Sequence, residues 1–357
     1  MRNGEAGLRH WFENQGTLAR QVSTRLNLSP GNAPVTNAAC RFARASAWAA
    51  GSEDRAALFL VLCVLVEVRS DAGVRFLKNV APGHCGVRAT GSDMSTIDDV
   101  SGVLRSLAPH HLAEDWDNVG LLVGDRERPV KRIMTCLTVT PESVQEAIDQ
   151  QVELIVAHHP IPFRPLKRLT TEETTGRLLL LLIDAGIAVY SPHTAFDSAR
   201  DGINQRLAEG LGLLRIQPLE PIENDPEGLG AGRWGELAEE SLALVDVAAR
   251  LKEFLKIEGL HMVGAPAQPI QRVAVACGSA GQFLGSAQQH QCDLLITGET
   301  SFHTCLAAAA DQIAMLLPGH YASERFAVES LAESLGRHFP ELVVWASQEE
   351  ADPLQWI

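Results

Sequence analysis

The chain has 357 residues, 46% hydrophobic and 21% charged, which suits ordinary buried cores and a length of about two domains. Its net charge of −14 argues against a general nucleic-acid binder, which needs Lys and Arg to replace phosphate counterions. Seven widely spaced cysteines form no Cys-x-x-Cys pair, so neither a disulfide framework nor a cysteine zinc site is expected, and a reducing, cytoplasmic setting fits.

The charge is uneven. Residues 1–93 hold 11 Arg and Lys against 7 Asp and Glu, whereas residues 94–357 hold 19 against 37. The first segment shows little periodicity, and its opening lacks the apolar core of a signal peptide. Its apolar run at 56–66 has eleven residues, short of the roughly 20 that cross a membrane; a buried helix or strand is expected there. Residues 1–93 read as an upstream extension, with Met94 as a natural start and a small accessory domain as the alternative.

From Met94 strands alternate with helices. Ser95 or Thr96 caps a first helix. A strand over 132–139 precedes a helix over 141–151 with Pro at its start. Short apolar strands at 154–157 and 187–190 flank a Leu-rich helix at 172–185, and another helix covers 201–211. The Pro-, Gly- and acid-rich stretch 218–235 reads as a connection. A helix over 245–255 follows, then strands at 273–277, 294–297 and 313–318, each leading to a helix. The last helix covers 323–339 and a closing strand 342–346. Such alternation predicts an α/β fold with at least partly parallel sheets, divided into lobes at 94–220 and 221–357.

The histidines carry the chemistry. His158 and His159 follow the strand LIVA, His193 and Asp197 follow IAVY, and His320 and Glu324 follow IAMLLP. Ligands gather at the carboxyl ends of strands in open α/β sheets, so these six groups can converge. Neutral imidazoles and carboxylates bind zinc, iron, manganese or cobalt. The i, i+4 spacing places His320 and Glu324 on one helical face. Adjacent His158 and His159 diverge, which suits two ions, and a carboxylate such as Glu324 could bridge them.

The ordered motifs WDNVGLLVG at 116–124, AHHP at 157–160, HTAFD at 193–197, ITGE at 296–299 and GHYASE at 319–324 resemble those of the Nif-three-like family, also called GTP cyclohydrolase 1 type 2 homologues, from Met94 to the C-terminus. The resemblance implies two similar α/β lobes with mixed sheets around a central dinuclear metal site, and a homo-oligomer, often a toroidal hexamer. It carries the metal ligands over as His158, His159, Asp197, His320 and Glu324, with two divalent ions per chain and Glu324 as the catalytic candidate. His193 and Glu299 become auxiliary groups near the centre. One departure is Ser301-Phe302-His303, where paired histidines stand in part of the family.

Other signals have plainer accounts. Gly278-Ser279-Ala280-Gly281 could cradle a phosphate, but a tight packing turn suffices. Trp116 is expected to pack beneath the turn made by Asn118 and Gly120. Two functional classes follow. The first is a metal-dependent hydrolase acting on a small molecule, a nucleotide or phosphoester, with GTP ring opening the activity attached to the family name. The second is a non-catalytic metal-binding scaffold, chaperone or regulatory partner.

Overall fold

The computed structural model describes residues 94–355. The expectations for residues 1–93, including the apolar run at 56–66, lie outside that range. Helix α1 (Ile97–Leu107) begins at Thr96. The Thr96 hydroxyl accepts the Asp99 N–H at 3.2 Å, and the Asp99 carboxylate accepts the Thr96 N–H at 2.9 Å, a reciprocal cap worth about 1 kcal/mol. Strands β1 (Gly120–Val123) and β2 (Arg132–Cys136) lead to α2 (Pro141–Asp149), capped by Thr140. Then come β3 (Leu154–Ala157), α3 (Thr174–Ala185), β4 (Ala188–Ser191), α4 (His193–Ser198) and α5 (Ile203–Gly210).

The second half holds β5 (Leu214–Gln217), a ribbon of β6 (Glu220–Pro221) and β7 (Gly230–Ala231), then β8 (Arg233–Glu236) and β9 (Leu242–Ala243). Next are α6 (Leu244–Leu255), β10 (His261–Val263), β11 (Pro269–Ile270), β12 (Arg272–Ser279) and α7 (Leu284–Gln289). The chain finishes with β13 (Leu294–Glu299), α8 (Phe302–Ala310), β14 (Ala314–Leu317), α9 (His320–His338) and β15 (Val343–Ala346).

Two mixed sheets result, in the orders β1-β4-β3-β2-β15 and β10-β14-β13-β12-β8-β5. The inner strands of each are parallel; an antiparallel strand finishes one edge of the first sheet and antiparallel strands finish both edges of the second. Parallel strands buried on both faces need continuous apolar sequence, which LIVA in β3 and LLIT in β13 supply.

The sheets do not part at residue 220. Strand β15, the last in the chain, pairs in parallel with β2, so the first sheet is closed by the C-terminus. Strand β5, which lies before 220, pairs with β8 in the second sheet. The stretch expected as a connection contains β6 and β7 and runs into β8; Arg233, fully buried, is held there by the carbonyls of Ser198, Ala199, Gly230 and Gly232.

Helices α5 and α9 are shared between the sheets. Ile203 and Leu331 belong to the apolar cluster under the first sheet, Leu207 to that under the second, and Phe326 packs against both. Helix α9 presents Glu324, Ala327, Val328, Leu331 and Leu335 as one buried stripe, spaced as a helical face requires. Its N-terminus therefore lies fixed between the carboxyl ends of both parallel strand sets.

Candidate metal centre

Three strand ends deliver the donor groups. Beyond β3 the chain bends at both histidines but stays tied to the segment ending β2: the His158 N–H donates to the Cys136 carbonyl at 2.9 Å and the His159 N–H to the Leu137 carbonyl at 2.8 Å. The two rings lie 5.1 Å apart, tilted by 55°. Burial holds the His158 imidazole well below its usual pKa, so it is neutral, the form that ligates metal.

After β4, His193 opens α4 at φ +28, a backbone region that only a few per cent of residues other than glycine visit. Asp117 over-determines that position. Its Oδ1 lies 2.7 Å from His193 Nδ1, and its Oδ2 accepts the Thr194 N–H at 3.1 Å and the Thr194 hydroxyl. Burial works to raise the Asp117 pKa, but these bonds outweigh it and hold the carboxyl down at about 2. Burial works to lower the His193 pKa, but Asp117 together with the charges of Asp197 and Glu324 outweighs it and raises that imidazole. Asp197 follows one turn later. Its Oδ1 accepts from the Cys277 thiol at 3.3 Å, and Asn204 ties the Asp197 carbonyl to the Cys277 N–H.

After β14, Gly319 turns the chain at φ +99 and α9 starts at His320. The expected helix over 323–339 thus begins three residues early, and His320 and Glu324 share its first face. Glu324 is the centre of the cluster. Its Oε2 lies 3.2 Å from His159 Nε2 and 3.2 Å from His320 Nε2, and its Oε1 lies 4.0 Å from His158 Nε2. The Nε2 atoms of His159 and His320 stand 3.3 Å apart. His158 Nε2 is 3.5 Å from Asp197 Oδ1. Outer partners fix both rings: Thr138 Oγ1 is 2.7 Å from His159 Nδ1, and Glu299 Oε1 is 3.0 Å from His320 Nδ1. Such bonds orient an imidazole so that its other nitrogen meets a metal.

The donors form two overlapping groups able to hold a cation, His158 with His159 and His193, and His159 with His320 and Glu324. All six polar groups read from the three strand ends are therefore brought together, with Glu299 behind His320. His193 stands within the donor groups themselves rather than beside them. His303 is exposed on α8 and does not line the cavity.

The cluster fits a cation on physical grounds. Both ring nitrogens of His158 and Oε2 of Glu324 are buried without a directed hydrogen bond; each such group costs about 1–3 kcal/mol when unsatisfied. Burial and the neighbouring Glu324 push Asp197 up to about 7. Burial acts the same way on Glu324, but the contacts with His159 and His320 prevail and lower it. The Glu324 contact, against the opposing effect of burial, raises His320 to about 9. Two carboxylates and four imidazoles packed this closely suit a divalent metal ion.

Gly278 makes room for that set. It sits at φ +64 at the end of β12, and a β-carbon there would run into Glu324 Oε1 and come within 3.3 Å of His320 Nε2. The Gly278–Gly281 stretch thus serves close approach of the carboxylate and needs no phosphate to explain it. The sequence assigned no role at the site to Asp117, which it placed only within the WDNVG motif, or to Thr138, Asn204 and Cys277, because each is an ordinary residue until the fold aims it.

A cavity of about 600 Å³ opens over the cluster, lined among others by His159, Asp197, His320 and Glu324. Trp116 does not pack beneath a turn. It is 59% exposed, lines the cavity and faces Phe163 at 5.8 Å between ring centroids. The turn is held instead by Asn118, which donates to the Pro162 carbonyl at 2.9 Å.

Residues 95–353 match the family described as Duf34/NIF3 (NGG1p interacting factor 3). The chain belongs to this family. A "GTP cyclohydrolase 1 type 2 homolog" of Clostridium acetobutylicum is 34% identical over 267 residues, covering 73% of this chain and 98% of that protein. A "NIF3-like protein 1" of Drosophila melanogaster is 35% identical over 254 residues, covering 70% and 86%. A solved Staphylococcus aureus protein superposes with a TM-score of 0.67 at 27% identity, covering 74% of this chain and 99% of that one. A Bacillus cereus "protein related to NIF3" reaches 0.69 at 23% identity and 74% coverage, a likeness of fold. Among the described residues no helix is long and apolar enough to cross a membrane.

Proposed function

We propose that the chain is a metal-dependent hydrolase built on a dinuclear centre. The observation that carries this is Glu324: Oε2 faces His159 and His320 while Oε1 faces His158, with no directed hydrogen bond to Oε2. A carboxylate has two oxygens for two cations, whereas a neutral imidazole has one lone pair. His159 and His320 would hold one ion with Oε2; His158, Asp197 and His193 would hold the other with Oε1. Two cations held there would supply water activation and polarisation of a scissile bond.

The protein groups have separable tasks. Asp117 fixes His193 at Nδ1 and leaves Nε2 toward the cluster. Thr138 and Glu299 do the same for His159 and His320. The Cys277 thiol fixes one oxygen of Asp197. Ala276 and Phe283 add apolar surface to the cavity wall. The relatives' name makes GTP a first substrate to assay, beside phosphoesters and amides.

The test pairs turnover with metal content. Purified protein loaded with zinc, iron, manganese or cobalt is assayed on that panel, together with Glu324→Gln and His158→Ala. The proposal expects turnover of one panel class, lost in both variants. It expects Glu324→Gln to weaken all bound metal and His158→Ala to weaken about half of it. Metal-loaded protein that turns over nothing on the panel would instead favour a non-catalytic metal-binding scaffold.

A further inference from the structure

Beyond the metal ligands the cavity has its own chemistry. Trp116 and Phe163 are large aromatics left 59% and 49% exposed at its mouth. They lean on one another, and both rings stand edge-on to His193, at 6.0 and 6.1 Å. An aromatic pair exposed beside a polar cluster offers a face on which a planar ligand can stack.

The charge of the lining is one-sided. Its carboxylates are Glu114, Asp197, Glu220 and Glu324, and among the described residues that line it there is no Lys or Arg. Arg164, Lys167 and Arg168 follow Phe163 on the same exposed loop but stand outside the lining. Asp197 and Glu324 belong to the metal cluster. Glu114 and Glu220 do not, and they lie at the exposed rim. Burial and then the charge of Glu220 raise the Glu114 pKa, as expected for a carboxylate crowded by a like charge with no cation opposite. Deeper in, Glu324, buried and without a directed hydrogen bond at Oε2, is aimed into the same cavity.

A polyphosphate is poorly served by such walls. Its recognition rests on Arg forks, Lys or backbone amides that offset several negative charges, and only the metal cluster could do so here. A cationic group gains from both rim carboxylates, and a planar ring gains from the face of Trp116.

We propose that the cavity takes a planar, amino- or amidinium-bearing molecule, its ring stacked on Trp116 and Phe163 and its cationic group turned toward Glu114 and Glu220, with no polyphosphate tail inside. This narrows the substrate of the proposed hydrolase and rests on that reading only for the metal-facing end. A nucleotide would enter as its base, whose neutral exocyclic amino group would donate to the rim carboxylates, and not through its phosphates.

The probes are benzamidinium and benzamide, equal in shape and different in charge, and guanosine with GTP. Each is titrated by NMR into the zinc-loaded full-length chain, with zinc content measured on every sample. Benzamidinium should bind about tenfold tighter than benzamide. In the double variant Glu114→Gln/Glu220→Gln that ratio should fall to near one with zinc unchanged. Trp116→Ala should weaken benzamidinium and benzamide alike and leave the ratio. Guanosine should bind at least as tightly as GTP. The proposal is overturned if benzamidinium and benzamide bind equally, if the ratio survives in the double variant, if GTP binds tighter than guanosine, or if no probe binds. Zinc content separates the two failures. A chain without zinc fails the metal reading, and a zinc-loaded chain blind to probe charge fails this one alone.

Discussion

Replacing Gly278 by Ala should damage the metal cluster from a position that supplies no ligand. Two costs add at this residue. The backbone sits at φ +64, a left-handed conformation that costs an L-residue about 1–2 kcal/mol. The new methyl would also occupy the space of Glu324 Oε1. Glu324 is buried on α9 and cannot retreat to solvent, so its carboxylate must rotate away from His159 and His320, now 3.2 Å from Oε2. Misplacing a group that orients a metal site typically costs about 10–100-fold in affinity. The assay is competition against a chelator of known affinity, beside thermal unfolding of the metal-free chain. Gly336→Ala is the control: it lies inside α9 with nothing within 4 Å of an added β-carbon. It should stabilise the helix by about 0.4–1 kcal/mol and leave metal affinity alone. Wild-type metal affinity in Gly278→Ala would refute the reasoning, because the cluster would then not depend on the close approach of Glu324.

Three further outcomes are expected. Asp117→Asn removes one of the charges that raise His193, so that imidazole's pKa should fall, read by NMR, and metal affinity should drop about 10–100-fold. Metal uptake should release protons, because His320 is raised to about 9 and Asp197 to about 7 in the metal-free chain. Ligation needs both groups deprotonated, so affinity should rise from pH 6 to pH 9 and calorimetry at pH 7 should find about one to two protons released. Thr96→Ala should cost about 1 kcal/mol of stability by removing the reciprocal cap of α1, measured by denaturant unfolding, with metal content unchanged.

Much of this architecture was legible because buried parallel strands leave continuous apolar runs. LIVA, AVYS and AMLL marked β3, β4 and β14, and each run ended at donor residues. The i, i+4 pair His320 and Glu324 needed only a helix start, which Gly319 supplies. The edges were less legible. Strand β5 is mostly exposed, and β10 has three residues with no fully buried one, so neither shows the apolar pattern of an inner strand. The pairing of β15 with β2 joins residues more than two hundred positions apart, which no local pattern records. The positioning groups were hidden for the same reason. Thr138, Asn204 and Cys277 acquire their roles from strands and helices meeting at one point. Trp116 was misread as packing beneath its turn, since WDNVG carries a turn signal, and only the fold shows the indole at the cavity mouth.

The central claim is that Glu324 gathers two cations between His158 and the His159–His320 pair. Metal content per chain, measured after exhaustive dialysis for the wild type, Glu324→Gln and His158→Ala, tests it most directly. The account predicts about two divalent ions in the wild type, depletion of both in Glu324→Gln and loss of about one in His158→Ala. Full retention in Glu324→Gln with loss of both ions in His158→Ala would contradict it.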